Sequence, residues 1–139
     1  SIQPQHAMDD RDVIARFWGT PAGIPYAFNS LHKAGTKLLM GSDAPVAPLD
    51  PWMAISAAVF GTESSDREPF QPEQCLDFET ALASSTAVGR VALRDADAAD
   101  LVLLDCDPSI IDSPEAMRAM PEHVLGTMLA GRWTYQQAE

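Results

Sequence analysis

The sequence has few basic residues and no long apolar run, and each shortage excludes a class of protein. Nine Lys and Arg are outnumbered by twenty Asp and Glu, which gives a formal net charge of -11. Because no basic stripe can neutralise phosphates, the sequence excludes nucleic acids and membranes as partners. No apolar run approaches the roughly 18 residues of a membrane-spanning helix. The N-terminal SIQPQHAMDD lacks the features of a signal peptide, which favours a cytoplasmic protein.

Cysteine is also scarce, with Cys75 and Cys106 as the two examples and no CxxC pair. Two thiols are too few for a disulfide scaffold, so we expect both to be reduced and buried or half-buried. The sequence also lacks HxH and HExxH pairs, a GxSxG frame and a glycine-rich phosphate loop. It therefore offers no evident cluster of three or four metal ligands and no activated serine.

The residues that are present suit one α/β domain, since 46% of the 139 residues are hydrophobic. Residues 1–7 are typical of the end of a short strand that runs into a loop at Pro4. Apolar spacing predicts helices over 9–19 and 26–35, and the run TKLLMG at 36–41 predicts a strand buried on both faces. This order of strand, helix, helix and strand suits a parallel sheet.

The second half of the sequence changes character. A helix is predicted over 51–60, with Pro51 at its first position, and another from about Asp77, which is a plausible N-cap. ADLVLLDCDP predicts a strand that ends in an Asp-Pro turn. The last segment predicts a β-hairpin with its tight turn at Ala130-Gly131.

Asp43 lies where the strand predicted at 36–41 ends. A carboxylate at the carboxyl end of a parallel strand can hold a metal ion or take a proton from metal-bound water. We expect Gly41 to let the backbone pack closely there, and Pro45 to end the hydrogen bonding of the strand. Alternatively, Asp43 caps the next turn through its own backbone, and spacing alone leaves both interpretations open.

The three histidines give a weaker signal than Asp43. His6 follows the first predicted strand, where a structural role is the more common alternative to a substrate contact. His32 lies in a predicted helix and His123 begins the hairpin strand, and we expect both to be structural.

A series of motifs resembles the C-terminal part of metal-dependent hydrolases of the amidohydrolase superfamily. In chain order the motifs are QPQHAMDD, SLHKAGTKLLMGSDAPVAPLDPWMAI, ETALASSTAVG, ADLVLLDCDP and VLGTMLAGRWTY. Within that superfamily the chain is most similar to amidohydrolase family 3, which includes N-substituted formamide deformylases. The most specific element is GSDAPV followed by DP, and the resemblance covers nearly the whole chain.

The resemblance implies a fold, a site and a cofactor. Residues 1–90 would form the C-terminal part of a (β/α)8 TIM barrel, with its last two strands and helices, and residues 91–139 would add strands of a small β-sandwich. Zinc or another divalent metal would bind in the complete enzyme, with Asp43 as metal ligand and general base. His6, Ser42 and Pro45 are then expected to contact a small-molecule substrate at the mouth of the barrel.

The resemblance also shows what these residues leave out. The HxH pair, the bridging lysine or acid and two later histidines of the family all precede the seventh barrel strand. We therefore expect a C-terminal piece of an enzyme that hydrolyses non-peptide C–N bonds, inactive without the N-terminal part of the barrel. Bare strand edges favour a homo-oligomer. The alternatives are a non-catalytic α/β binding module of hydrolase ancestry and an enzyme completed by a separate subunit.

Overall fold

The computed structural model describes residues 1–18, 23–87, 94 and 97–138. Within these residues the fold is mixed α/β, with five α-helices and one three-stranded antiparallel sheet. None of the described helices is long and apolar enough to cross a bilayer. The elements are α1 (Pro4–Phe17), α2 (Phe28–Lys33), α3 (Pro51–Phe60), α4 (Phe78–Ser85), β1 (Leu101–Leu104), α5 (Pro114–Arg118), β2 (Val124–Leu129) and β3 (Arg132–Gln136). Short 3₁₀ turns lie at Pro72–Gln74, Pro108–Ile110 and Met120–His123.

The N-terminal segment pairs in parallel, as predicted, but it does not continue into a loop. Ile2 forms a parallel bridge with Met40, and the Ile2 amide donates to the Leu39 carbonyl at 2.8 Å. Helix α1 begins at Pro4, because the first helical position needs no backbone N–H and suits the fixed φ of proline. His6 therefore lies in the first turns of a helix, and the predicted loop is wrong.

The segment predicted as a strand buried on both faces has one covered face. Met40 forms the bridge to Ile2 and donates its amide to Ser84 at 2.8 Å, but no longer ladder extends over residues 36–41. Leu38 is buried, whereas Leu39 is 46% exposed. The prediction of burial on both sides is wrong, because the described residues leave the side of Leu39 accessible to solvent.

The caps of α3 and α4 agree with the sequence. Pro51 takes the first position of α3, and the Asp50 carboxylate accepts a hydrogen bond from the Trp52 amide at 2.9 Å. Asp77 caps α4 in the same way, accepting from the Thr80 amide at 2.8 Å.

The predicted ends of two helices lie outside the described part of the chain. Helix α1 ends at Phe17, so the predicted stop at Gly19 cannot be compared. Helix α4 ends at Ser85, and residues 88–93 of its predicted extension lie outside the described residues, as does the expected boundary between 90 and 91.

The C-terminal hairpin has the predicted form. The sheet order is β1-β2-β3, with Leu101 opposite Met128. Ala130 and Gly131 connect β2 to β3 with φ angles of 48° and 76°. Positive φ at both central residues is the geometry of a type I′ turn, whose twist matches that of paired strands.

One core connects the helices to the chain that precedes the hairpin. Ile55 of α3 is 1% exposed and lies in the same cluster as Met117 and Met120, which are fully buried. Leu104 and Cys106 at the end of β1 pack against this cluster while staying partly accessible. The remaining buried members are Ile2, Ala7, Met8, Phe28, Leu38, Trp52, Ala57, Ala58, Leu76 and Ala81.

Candidate functional site

Asp43 lies in an exposed turn directly after the parallel bridge. Its φ is 54°, in the left-handed region that few residues other than glycine adopt and that aspartate tolerates better than most. Its backbone carbonyl accepts a hydrogen bond from the Val46 amide at 2.9 Å, which closes the turn. The turn is therefore held by the backbone, and the side chain projects from an exposed residue.

The Asp43 carboxylate has a different environment from the capping aspartates of this protein. Asp50 and Asp77 each accept a hydrogen bond from a backbone amide two or three residues ahead. Among the residues that the structure describes, none donates a hydrogen bond to the Asp43 carboxylate or pairs with it. The Asp43 backbone therefore closes the turn, as the capping interpretation expects, while the carboxylate takes no part in it.

The surroundings of Asp43 are open. A Cβ placed on Gly41 would meet no described atom within 4 Å, so the expectation that Gly41 serves close backbone packing is wrong. Three apolar side chains nearby in sequence, Leu39, Val46 and Leu49, are exposed. Apolar side chains around a polar site are ordinarily covered by protein or substrate, and here the described residues leave them bare.

The other predicted site residues occupy distinct positions. Ser42 is half-buried and Pro45 is exposed, with a cis peptide bond before it. His6 is half-buried in α1, and its Nε2 atom is buried with no hydrogen-bond partner among the described residues. Because Ile2 and Met40 pair in parallel, the chain runs in the same direction after each of these two residues. His6 follows Ile2 in α1 and Asp43 follows Met40 in a turn, and no hydrogen bond joins the two in the described part.

A second group of side chains was not expected from the sequence. Asp105, Cys106 and His123 each offer one possible ligand atom, and these atoms lie within 4.8 Å of one another. The Nδ1 atom of His123 is 2.8 Å from an Asp105 carboxylate oxygen. The interpretation that the sequence offers no cluster of three possible ligands is therefore wrong, and His123 ends a 3₁₀ turn directly before β2 instead of beginning the strand. The sequence signal for this cluster was the segment DCD at the end of one predicted strand, followed by His123 at the predicted start of the next strand.

Both cysteines are free and half-buried, as predicted. Burial, followed by the charge of Glu73, raises the pKa of the Cys75 thiol. For Cys106, burial again comes first, and Asp105 and Asp107 also raise the pKa of the thiol. Neither thiol is activated as a nucleophile by its surroundings, because activation requires a lowered pKa.

Comparisons with known proteins agree with the order of motifs. A family model described as "Amidohydrolase family" matches residues 1–135. One curated relative, "Protein LONG AFTER FAR-RED 3" of Arabidopsis thaliana, is 29% identical over 146 residues, covering 97% of this chain and 24% of the relative. The chain thus spans about a quarter of the length of that relative. No solved structure matches the chain significantly.

Proposed function

This chain belongs to the amidohydrolase family, and we propose that it supplies the C-terminal part of a metal-dependent hydrolase that cleaves a carbon–nitrogen bond other than a peptide bond. The substrate class we propose is a small amide or formamide, as in the N-substituted formamide deformylases that the sequence resembles. The observation that carries the proposal is the Asp43 carboxylate, exposed after a parallel bridge and without a hydrogen-bond donor among the described residues.

The donor set at Asp43 fits a metal site only in part. A carboxylate oxygen is a normal ligand of zinc and other divalent cations, but a catalytic site uses about three protein ligands. Within the described residues, the groups of three possible ligands do not include Asp43. We therefore propose that the other ligands come from protein outside these residues, and that Asp43 alone does not hold the ion.

In the assembled site, the metal ion would lower the pKa of a bound water so that it can attack a carbonyl carbon near neutral pH. Asp43 would help to hold the ion and would accept the proton of that water as general base. Such a role needs a carboxylate that is not already committed to backbone amides, which distinguishes Asp43 from Asp50 and Asp77.

His6, Ser42 and Pro45 are proposed as substrate contacts beside Asp43. The unpartnered Nε2 of His6 is the most specific support, since a buried polar atom without a hydrogen bond costs about 1–3 kcal/mol and a substrate or water would satisfy it. Ser42 and Pro45 flank Asp43 in the same turn and would shape the entrance.

The bare apolar side chains around this edge suggest what completes the site. Leu39, Val46 and Leu49 are exposed, and the pairing edge beside Met40 is short. We propose that the preceding strands and helices of a (β/α)8 barrel cover them, either in the same polypeptide or from a second copy in a homo-oligomer. Because both cysteines are free, as in a reducing compartment, we propose that the enzyme works in the cytoplasm.

The proposal is tested with two proteins, the 139-residue chain and the product of the complete reading frame that contains it. Both are assayed, with zinc supplied, against N-substituted formamides, simple amides and carbamates. We expect turnover of at least one class by the complete protein, loss of turnover on chelation with recovery on adding zinc, and no turnover by the 139-residue chain. Hydrolysis by the short chain would contradict the requirement for outside ligands.

A non-catalytic binding module is the second candidate, favoured by the absence of companion ligands around Asp43 in the described residues. It predicts that the complete protein binds no catalytic metal and turns over none of the three substrate classes. The same assay therefore separates the two candidates.

A further inference from the structure

The backbone holds Asp105, Cys106 and His123 together at one end of the sheet. Asp105 follows the last residue of β1, and His123 precedes the first residue of β2. Leu104 and Val124 are register partners, and the Asp105 amide donates to the His123 carbonyl at 3.1 Å. The pairing of β1 with β2 thus fixes where Asp105 and His123 lie, and Cys106 follows Asp105 directly.

The three ligand types suit one class of ion. A thiolate, an imidazole nitrogen and a carboxylate oxygen are the donors that zinc uses in proteins, at roughly 2.0–2.3 Å. Ligand atoms around one such ion lie about 3–4 Å apart, close to the 4.8 Å within which the three atoms already lie. Magnesium and calcium prefer oxygen donors alone, so a sulfur and a nitrogen ligand select against them.

Access and charge favour a cation as well. The side chains of Asp105 and His123 are 47% and 43% exposed, so an ion reaches them from solvent without opening the core. Asp105 and Asp107 lie on both sides of Cys106 in sequence, and the chain carries a net charge of -11. On the core side, the Cys106 thiol donates a weak hydrogen bond to the Sδ of the buried Met120 at 3.8 Å, which an ion bound at the sulfur would replace.

We propose that Asp105, Cys106 and His123 bind one zinc-class divalent cation, with a solvent water completing the coordination. On binding, the Cys106 thiol releases its proton to solvent and its sulfur bonds the ion. Where His123 bonds through Nδ1, its ring proton moves to Nε2, and the hydrogen bond to Asp105 is exchanged for a bond between Asp105 and the ion. The ion links the end of β1 to the start of β2. It is separate from the metal proposed at Asp43 and has no part in turnover.

The test titrates cobalt, then zinc, into the chelator-stripped 139-residue chain. We expect one equivalent of cobalt to give a thiolate-to-cobalt charge-transfer band in the near ultraviolet, and one equivalent of zinc to remove it. Binding should also raise the unfolding temperature, because an ion that binds the folded state alone stabilises it. Absence of the band from the folded chain would overturn the proposal.

Variants separate this site from other thiols and from Asp43. Cys106→Ser should abolish the band and weaken zinc binding by more than about tenfold. Cys75→Ser is the matched control, because Cys75 is the other free, half-buried cysteine, and it should keep the band. If Cys106→Ser does not fold by circular dichroism, His123→Gln, at a partly exposed side chain, provides the same comparison. Asp43→Asn should bind cobalt like the unchanged chain, whatever the outcome for turnover in the complete enzyme. Loss of the band in Cys75→Ser or Asp43→Asn, or its retention in Cys106→Ser, would refute the assignment.

Discussion

The helical region, residues 1–87, and the sheet region, residues 97–138, bury their side chains to different extents. Among the described residues, the helical region supplies most of the core, including Ile55, whereas every residue of β3 is exposed. The sheet region contributes Met117 and Met120 to that core from the chain between β1 and β2. The helical region is thus held by packing, and the strands of the sheet by register and turn geometry.

The two regions also differ in how they present possible metal ligands. The helical region carries Asp43, which has the position expected of a catalytic acid but no companion ligand among the described residues. The sheet region, for which a structural role was expected, gathers three ligands from two adjacent strand ends. The resemblance to an enzyme family therefore points to a residue without companion ligands among the described residues, while the group of three possible ligands forms where two strands pair.

The largest effect should come from removing core volume in the helical region. Ile55→Ala at a 1% exposed position should lower the free energy of unfolding by about 2–5 kcal/mol, through lost burial and the cavity that remains. Ile110→Ala is the matched control, because Ile110 in the sheet region is 77% exposed. This substitution should change the free energy of unfolding by less than about 0.5 kcal/mol. Urea unfolding followed by circular dichroism measures both. Equal losses would show that packing does not distinguish the regions.

The next effect concerns the cap of α4. Asp77→Ala should reduce the free energy of unfolding by about 1 kcal/mol, because the amide and hydroxyl of Thr80 lose their acceptor. Asp77→Asn keeps a capping oxygen and should retain most of the stability at neutral pH. Since these hydrogen bonds lower the pKa of Asp77, the benefit of Asp over Asn should diminish as the pH falls through that lowered pKa. Thermal unfolding at several pH values tests this, and equal losses for Ala and Asn would contradict capping.

A turn substitution should act with the opposite sign in the sheet region. Ala130 has a φ of 48°, which is costly for an L-residue with a Cβ and less so for asparagine. Ala130→Asn creates the Asn-Gly pair that type I′ turns prefer and should stabilise the chain by up to about 1 kcal/mol. Ala130→Val should destabilise it, because β-branched residues tolerate positive φ poorly. Destabilisation by Ala130→Asn would show that the type I′ turn does not stabilise the pairing of β2 with β3.

The smallest effect should come from a contact between the two regions. Glu115 of α5 accepts hydrogen bonds from the amide and hydroxyl of Ser65, at 2.6 and 2.7 Å. These bonds, the amide first, lower the pKa of Glu115 from 4.5 to about 2. Because the folded-state pKa is the lower one, the stabilisation is complete above about pH 4.5 and is lost as the pH falls toward 2.

Glu115→Gln should therefore be less stable than the unchanged chain at neutral pH and closest to it near pH 2. The effect is small because Glu115 is exposed and water competes for its oxygens. Urea midpoints of both proteins from neutral to acidic pH measure it. A stability difference that stays constant across that range would contradict the assignment.

Local features of the fold were predictable, and those set by distant contacts were not. Asp77 as an N-cap and the turn at Ala130 depend on a few neighbouring residues, and both were predicted correctly. The sequence predicts a loop at Pro4 because proline ends strands, yet proline also begins helices, and the packing of α1 on α3 favours the helix. The exposure of Leu39 depends on what packs beyond the described residues, which no local pattern encodes.

The same distinction applies to the two possible metal sites. Asp43 is predicted as a site residue from a motif that lies within one short segment. Cys106 and His123 are 17 positions apart in the sequence, and only the pairing of Leu104 with Val124 brings them together. Spacing rules for metal ligands assume short loops or helix turns, so a cluster formed across a strand pair escapes them.

The most direct test of the account is the turnover number of Asp43→Asn in the complete protein that contains this chain, measured with zinc supplied and with bound metal determined. Asp112→Asn is the control, because Asp112 is likewise exposed and lies in the sheet region, away from the Asp43 turn. We expect Asp43→Asn to reduce turnover by about 10²–10⁴-fold or more while Asp112→Asn leaves it unchanged. Near-normal turnover of Asp43→Asn in a folded, metal-loaded protein would contradict the role of Asp43 as metal ligand and general base.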